Sequence, residues 1–315
     1  MPALITHHLF GEESIDRLPA GLVQSDEERA AFLLANQGPD PFFFRFRTPN
    51  LKPCMKLAHE MHNQLIAKQY RALREGVSRL PKQDAATGRA FALGLLSHYA
   101  LDRNAHPFVY AQQWGIQEAD AELEKSGDAV HAVIESDLDV LMLQLKRDHA
   151  TTAEYPPAEE LVSSERIDRI AGALMSHVAN TVYGLPVGVT EYGGAVADMQ
   201  LVYRLIEPMG SVGEHAVALL EPLATHAHSF IAALAHPVTA EPPARTGNLG
   251  NLTWENPFTH TLSSESFPEV FDRALADYEQ MAAKFIAGVD MAEVTRHLNY
   301  SGRPLEASER FDGTE

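Results

Sequence analysis

A single cysteine, Cys54, in 315 residues excludes an intramolecular disulfide and a thiolate metal cluster, so any metal would have to be held by nitrogen and oxygen. Long apolar runs are missing too: no stretch approaches the roughly 20 residues of a membrane-spanning helix. The opening Met1-Pro2-Ala3-Leu4-Ile5-Thr6-His7-His8 has neither the basic n-region nor the continuous apolar h-region of a secretory signal, and the expectation is a cytoplasmic protein. Basic charge is scarce, with 25 Lys and Arg against 43 Asp and Glu and a net charge of −18. Such a surface does not suit the phosphates of a long nucleic acid, while a cation or a basic partner stays open. With 45% hydrophobic and 22% charged residues, the chain is neither disordered nor fibrous.

Histidine, by contrast, is abundant: 15 residues, about half of them before residue 150. Together with the acidic excess, this is the composition that a metal site of imidazole and carboxylate needs. Apolar residues recur at helical spacing over Lys56–Leu80, Ala85–Ala105, Asp128–Asp148 and Ser164–Tyr183, and again over Ala195–Ile206, Gly213–Ala235, Phe267–Ala287 and Met291–Leu298. Pro and Gly separate the later segments, and Ser126 offers an N-cap to the third long helix. Alternating patterns are short, so the expected fold is all-α: a multi-helix bundle with long loops, one domain over residues 1–315. Residues 34–53 and 237–260 are irregular and proline-rich, and loops of that length in a folded domain usually carry function.

The sharpest motif is Leu96-Ser97-His98-Tyr99-Ala100-Leu101-Asp102-Arg103-Asn104-Ala105-His106. On a helix, His98, Asp102 and His106 are four apart and form one stripe, able to converge on a cation with little backbone strain. The alternative is a polar face of an amphipathic helix, but Phe91, Leu93, Leu95, Leu96, Ala100 and Leu101 leave no generous solvent face. His131 and Glu135 repeat the pairing on the next long helix. His59-Glu60-Met61-His62 is not the zincin motif, because its histidines are three rather than four apart. His7 and His8 form a doublet near the start, and Asp40 sits in the rigid turn Gln37-Gly38-Pro39-Asp40. Phe42, Phe43, Phe44 and Phe46 beside it read either as a wall for a substrate or as a buried loop anchor. For His177, His215, His226, His228, His236 and His260, ordinary core or polar roles are expected.

Thr6-His7-x-Leu9-Phe10-Gly11, Gln37-Gly38-Pro39-Asp40-Pro41-Phe42-Phe43-Phe44, His62, His98-x3-Asp102-x3-His106 and His131-x3-Glu135 together resemble the bacterial zinc-dependent phospholipase C family, relatives of the zinc-dependent single-strand nucleases. Trp254-Glu255-Asn256-Pro257 and Glu265-Ser266-Phe267-Pro268-Glu269 look similar to the C-terminal part of its shorter members.

The resemblance implies an all-α bundle with a zinc cluster drawn mainly from residues 7–135 and a helical C-terminal part over 160–315. Asp40, His62, His98 and Asp102 would bind one zinc, and His106, His131 and Glu135 a second. His7 would serve a third, with Asp102 as a bridge; His59 and His8 are the second choices. The family's secreted enzymes also grip that third ion with an N-terminal tryptophan, and none precedes His7 here, so two or three Zn2+ ions are expected. The step from Asp102 to His106 is two residues shorter than in those enzymes, yet a step of four keeps the ligand on the helix face. The implied activity is hydrolysis of a phosphoric ester, foremost a small-molecule or lipid phosphodiester, by a metal-activated hydroxide, with Asp40 orienting or deprotonating the water. Rival readings are a nuclease or nucleotide phosphodiesterase on the same scaffold, and a non-catalytic helical protein with structural zinc. Pro41 stands where the family's best-known members have a tyrosine, so a choline preference does not carry over. The acidity disfavours docking on anionic membranes.

Overall fold

Apolar side chains occupy every face of Ala85–Ala119 between Thr87 and Val109, so this segment is the buried centre around which the other helices pack. The computed structural model describes residues 4–207, 234–239 and 242–310. Within them the helices are α1 (Leu4–Asp16), α2 (Asp26–Ala35), α3 (Leu51–Asn63), α4 (Ile66–Arg79), α5 (Ala85–Ala119), α6 (Gly127–Lys146), α7 (Glu165–Val182) and α8 (Glu191–Ile206). Three more follow: α9 (Phe267–Ile286), α10 (Met291–Thr295) and α11 (Ala307–Arg310). A two-stranded hairpin, β1 (Trp254–Glu255) and β2 (Leu262–Ser263), pairs Trp254 with Ser263 and Glu255 with Leu262. The fold is all-α, as expected, and α5 packs against α1, α2, α4, α6, α7 and α9.

Several boundaries differ from the sequence expectation, each for a local reason. The apolar periodicity of Lys56–Leu80 spans two helices, broken where Leu65 adopts a left-handed φ of 58° and donates its N–H to the Glu309 carbonyl. Helix α5 runs beyond Ala105 and through Pro107 to Ala119. Its proline lies where the loop after α10 closes on the helix: Gly302 has φ +72°, and a Cβ there would stand 2.4 Å from the Arg103 carbonyl oxygen. Ser126 does sit at the start of α6, but its side chain makes no capping bond. The expected helix over Met291–Leu298 ends at Thr295, and most of the one expected over Gly213–Ala235 lies outside the described residues, as do His215, His226 and His228. Helices α1 and α2 were not expected; α2 is capped by Ser25, whose hydroxyl accepts from Glu28 N–H.

The start of α1 is held from a distance. Asp139 of α6 accepts from Ile5 N–H (2.9 Å) and Thr6 N–H (2.7 Å), satisfying two N–H groups that a helix start leaves free. Behind it, His236 reaches Asp139 through Nε2 (2.9 Å) and Glu207 Oε1 through Nδ1 (2.5 Å), all three side chains being buried. Burial lowers the affinity of His236 for a proton, but the two carboxylates outweigh it and raise the pKa to about 9. A histidine whose pKa rises on folding contributes its full stabilisation below its unfolded value of about 6.5 and loses it as pH climbs through about 9. Urea unfolding should therefore show stability falling between pH 6.5 and 9.5 by on the order of 3 kcal/mol, the equivalent of that shift. The fall should flatten in His236→Gln; equal slopes in the two proteins would refute the charged-histidine anchor.

Candidate metal centre

Five elements carry the centre: His7 on α1, Asp40 on the tight 3-10 turn Asp40–Phe44, His62 in the last turn of α3, His98, Asp102 and His106 on α5, and His131 and Glu135 on α6. All eight side chains that the sequence singles out as donors come together. His7, Asp40 and His98 have donor atoms within 4.8 Å of one another, as do His62, His98 and Asp102, and also His106, His131 and Glu135. Asp102 lies in the middle. Its oxygens are 3.1 Å from His7 Nε2, 3.2 Å from His98 Nε2, and 3.8 Å from both His62 Nε2 and His106 Nδ1. Glu135 Oε1 stands 3.2 Å from His131 Nε2 and 3.4 Å from His106 Nε2, and Asp40 Oδ1 is 3.0 Å from His62 Nε2.

Four of the rings are fixed at Nδ1 by a hydrogen-bond acceptor. His62 Nδ1 meets the Ala58 carbonyl (2.7 Å), His98 Nδ1 the Asn36 carbonyl (3.1 Å), His106 Nδ1 the Tyr300 carbonyl (2.9 Å) and His131 Nδ1 the Gln113 side-chain oxygen (2.8 Å). A ring that donates Nδ1–H to such an acceptor presents Nε2 as a bare lone pair, the tautomer a metal ligand needs. His7 differs, with Nε2 on Asp102 and its ring stacked 4.2 Å from that of His98.

The inward-facing atoms also fit a cation chemically. His62 Nε2, His98 Nε2, Asp40 Oδ1 and Asp102 Oδ2 are buried and close together, yet none makes an aligned hydrogen bond. Buried polar atoms cost 1–3 kcal/mol each when unsatisfied, so a set of them converging is a strong signature of ligation. The carboxylates are in the charged form that ligation requires. Burial would raise Asp40, but its neighbours, His62 through its side-chain contact at 3.0 Å and His98 among them, hold it at about 2. Asp102 is pulled well below the ordinary range against the same burial, by His98, His106 and His7. Glu135 is lowered as well, with His131 and His106 among the causes.

The turn bearing Asp40 is positioned by contacts spread along the chain. Tyr192 donates its hydroxyl to the Gly38 carbonyl (3.2 Å), and Gln37 reaches the Leu4 carbonyl (3.1 Å). Downstream, Arg45 bonds both Glu191 (2.9 Å) and Asp198 (2.7 Å) of α8, while Asn50 bonds Glu191 (2.8 Å). Of the phenylalanines, Phe42 and Phe44 are buried anchors packed on Tyr192 and Tyr203, Phe46 is exposed, and Phe43 alone stands beside His59 and His62.

Neither second-choice histidine faces the donors. His59 is exposed against Phe43, and His8 turns to Glu160 at 2.7 Å. Sequence reasoning missed Asn36, Gln113 and Tyr300. Gln113 could have been found, being seven residues, two turns, beyond His106 on the same face of α5. Tyr300 acts through its backbone, donating N–H to the His62 carbonyl (3.1 Å) as well as accepting from His106, and no residue type signals that.

A helical bundle enclosing adjoining sets of imidazole and carboxylate donors is an architecture able to hold metal ions. The family model for zinc-dependent phospholipase C matches residues 6–183, more than half of the chain, and the chain belongs to that family. No curated protein and no solved structure matches it. The matched region contains all eight donors, whereas Tyr300 and the α8 carboxylates lie beyond it.

Proposed function

We propose that this chain hydrolyses a phosphodiester of the phospholipase C type in a zinc centre of two or three ions. Asp40, His62, His98 and Asp102 would hold one ion, His106, His131 and Glu135 a second, and His7 with Asp102 a third. The observation that carries this reading is Asp102, whose carboxylate lies within 4 Å of His7, His62, His98 and His106, so that it would be able to serve more than one ion. Bound zinc supplies Lewis acidity towards the phosphoryl oxygens and brings the pKa of water near neutrality. Asp40 then has a defined part. Held in its charged form by its neighbours, it would serve as a ligand and accept a hydrogen bond from a water beside the ions. The ring of Tyr300, 4.9 Å from His62 and 5.7 Å from His98, excludes water from the flank of the donors. No covalent nucleophile is required.

Elemental analysis of the purified chain should find two to three zinc per molecule. The zinc-loaded protein should hydrolyse bis-nitrophenyl phosphate and at least one of phosphatidylcholine and phosphatidylethanolamine faster than single-stranded DNA, which a net charge of −18 repels. One fully coordinated ion and no turnover would favour a structural role instead. Preferred cleavage of the DNA would favour the nuclease reading.

A further inference from the structure

The donor stripe of α5 does not stop at His106. Two further steps of four residues carry Tyr110 and Trp114, so the face that presents imidazole and carboxylate continues outward as aromatic rings. Tyr110 lies 5.0 Å from His131 and 5.9 Å from His106, ring to ring, and Trp114 lies 5.7 Å from Tyr110. Phe258, from the hairpin loop, closes the triangle at 5.6 Å from Tyr110 and 5.9 Å from Trp114.

The hairpin is braced to present that ring. Trp254 packs on Phe108 at 5.4 Å and donates Nε1–H to the Glu265 carbonyl at 3.0 Å, while Asn256 Oδ1 accepts from Phe258 N–H at 2.9 Å. The rings also stand where the centre meets solvent. His131 and His62 are the most exposed of the donor imidazoles, with side chains 11% and 13% accessible, whereas His98 is fully buried. Trp114 keeps 45% of its surface exposed, apolar area available to a ligand.

Resting on the phosphodiesterase reading, we infer that Tyr110, Trp114 and Phe258 form a subsite for an uncharged apolar arm, alkyl or aryl, of a phosphoester whose phosphate sits at His106, His131 and Glu135. The ring-to-ring continuity from His131 outward selects this occupant, because it places Tyr110 and then Trp114 alongside an arm extending from a phosphate at that end of the centre. The charge around the ledge fits an uncharged arm: Asp128 is close enough to act on Tyr110, and Glu255 is exposed on the hairpin, so a second anionic group would be repelled.

The test uses the full-length, zinc-loaded protein with methyl and octyl p-nitrophenyl phosphate. Octyl should exceed methyl in kcat/KM by about tenfold, carried by KM, since partial burial of several methylenes is worth on the order of 1–2 kcal/mol. Trp114→Ala and Phe258→Ala should each cut that octyl-to-methyl ratio about fivefold without loss of zinc. Val162→Ala, an exposed apolar residue outside the ledge, should leave it unchanged. Octylphosphonate should blue-shift tryptophan emission in the native protein and in Trp254→Phe, but not in Trp114→Phe. Hydrolysis of both esters with equal ratios in native and variant proteins, and no emission response, would overturn the subsite while leaving the phosphodiesterase reading standing. An emission response that depends on Trp114, with neither ester hydrolysed, would keep the subsite and overturn the reading of function.

Discussion

Asp102→Ala is expected to strip the proposed zinc centre to one ion or none, and to lower the proposed phosphodiesterase turnover by roughly a thousandfold or more. The reason is position rather than charge alone. Asp102 reaches His7, His62, His98 and His106, so its loss removes an anionic partner from every donor set except the distal face of His131 and Glu135. His7→Ala should cost fewer ions, because that imidazole lies within hydrogen-bond distance of Asp102 alone among the carboxylate donors. Circular dichroism checks that the variant keeps its helical fold. Asp102→Asn separates shape from charge: it keeps the volume and should lose nearly as much zinc. Equal zinc in native protein and Asp102→Ala would end the bridging assignment.

Gly38→Ala should be almost as damaging, through a residue that touches no ion. Gly38 has φ +59°, and a Cβ there would stand 2.2–2.5 Å from the His98 ring, closer than any real contact. Neither side can yield easily. The His98 ring is pinned by the Asn36 carbonyl and stacked on His7, while the Gly38 carbonyl is held by Tyr192. The left-handed backbone alone costs 1–2 kcal/mol for alanine, and the clash adds to it, so a loss of at least about 2 kcal/mol is expected. Because relief requires His98 to move, zinc affinity should fall along with thermal stability. A variant that melts within a degree of native protein and retains its zinc would show that the turn relaxes freely. The smaller test by pH at His236 complements this one, since that anchor fixes the start of the helix bearing His7 through the N–H groups of Ile5 and Thr6.

How much of this was legible before the structure depends on where each feature lives. His98, Asp102 and His106 could be read as a set because a helix imposes their convergence from within, four residues at a time; His131 and Glu135 follow the same rule. Helix α1 escaped notice because its buried face includes Thr6, His7, His8 and Ser14, polar residues that blur an apolar period. The break at Leu65 escaped because apolar residues continue through it, and the left-handed turn is stabilised by a hydrogen bond to Glu309, more than 240 positions away. The phenylalanine run after Asp40 was ambiguous for a comparable reason: only packing against Tyr192 and Tyr203 makes Phe42 and Phe44 anchors and leaves Phe43 beside His62.

The sequence by itself therefore determined the helical class, the nitrogen and oxygen donor chemistry and the two donor pairs written within single helices, since composition and helical period are local properties. The tertiary structure alone decided that His62 rather than His59, and His7 rather than His8, face the cluster. It also decided that Asp102 sits at its middle and that Tyr300 holds His106 from the far end of the chain. These depend on distances between elements, which are set by how helices pack around α5 and carry no signature in the spacing of residues along any one of them.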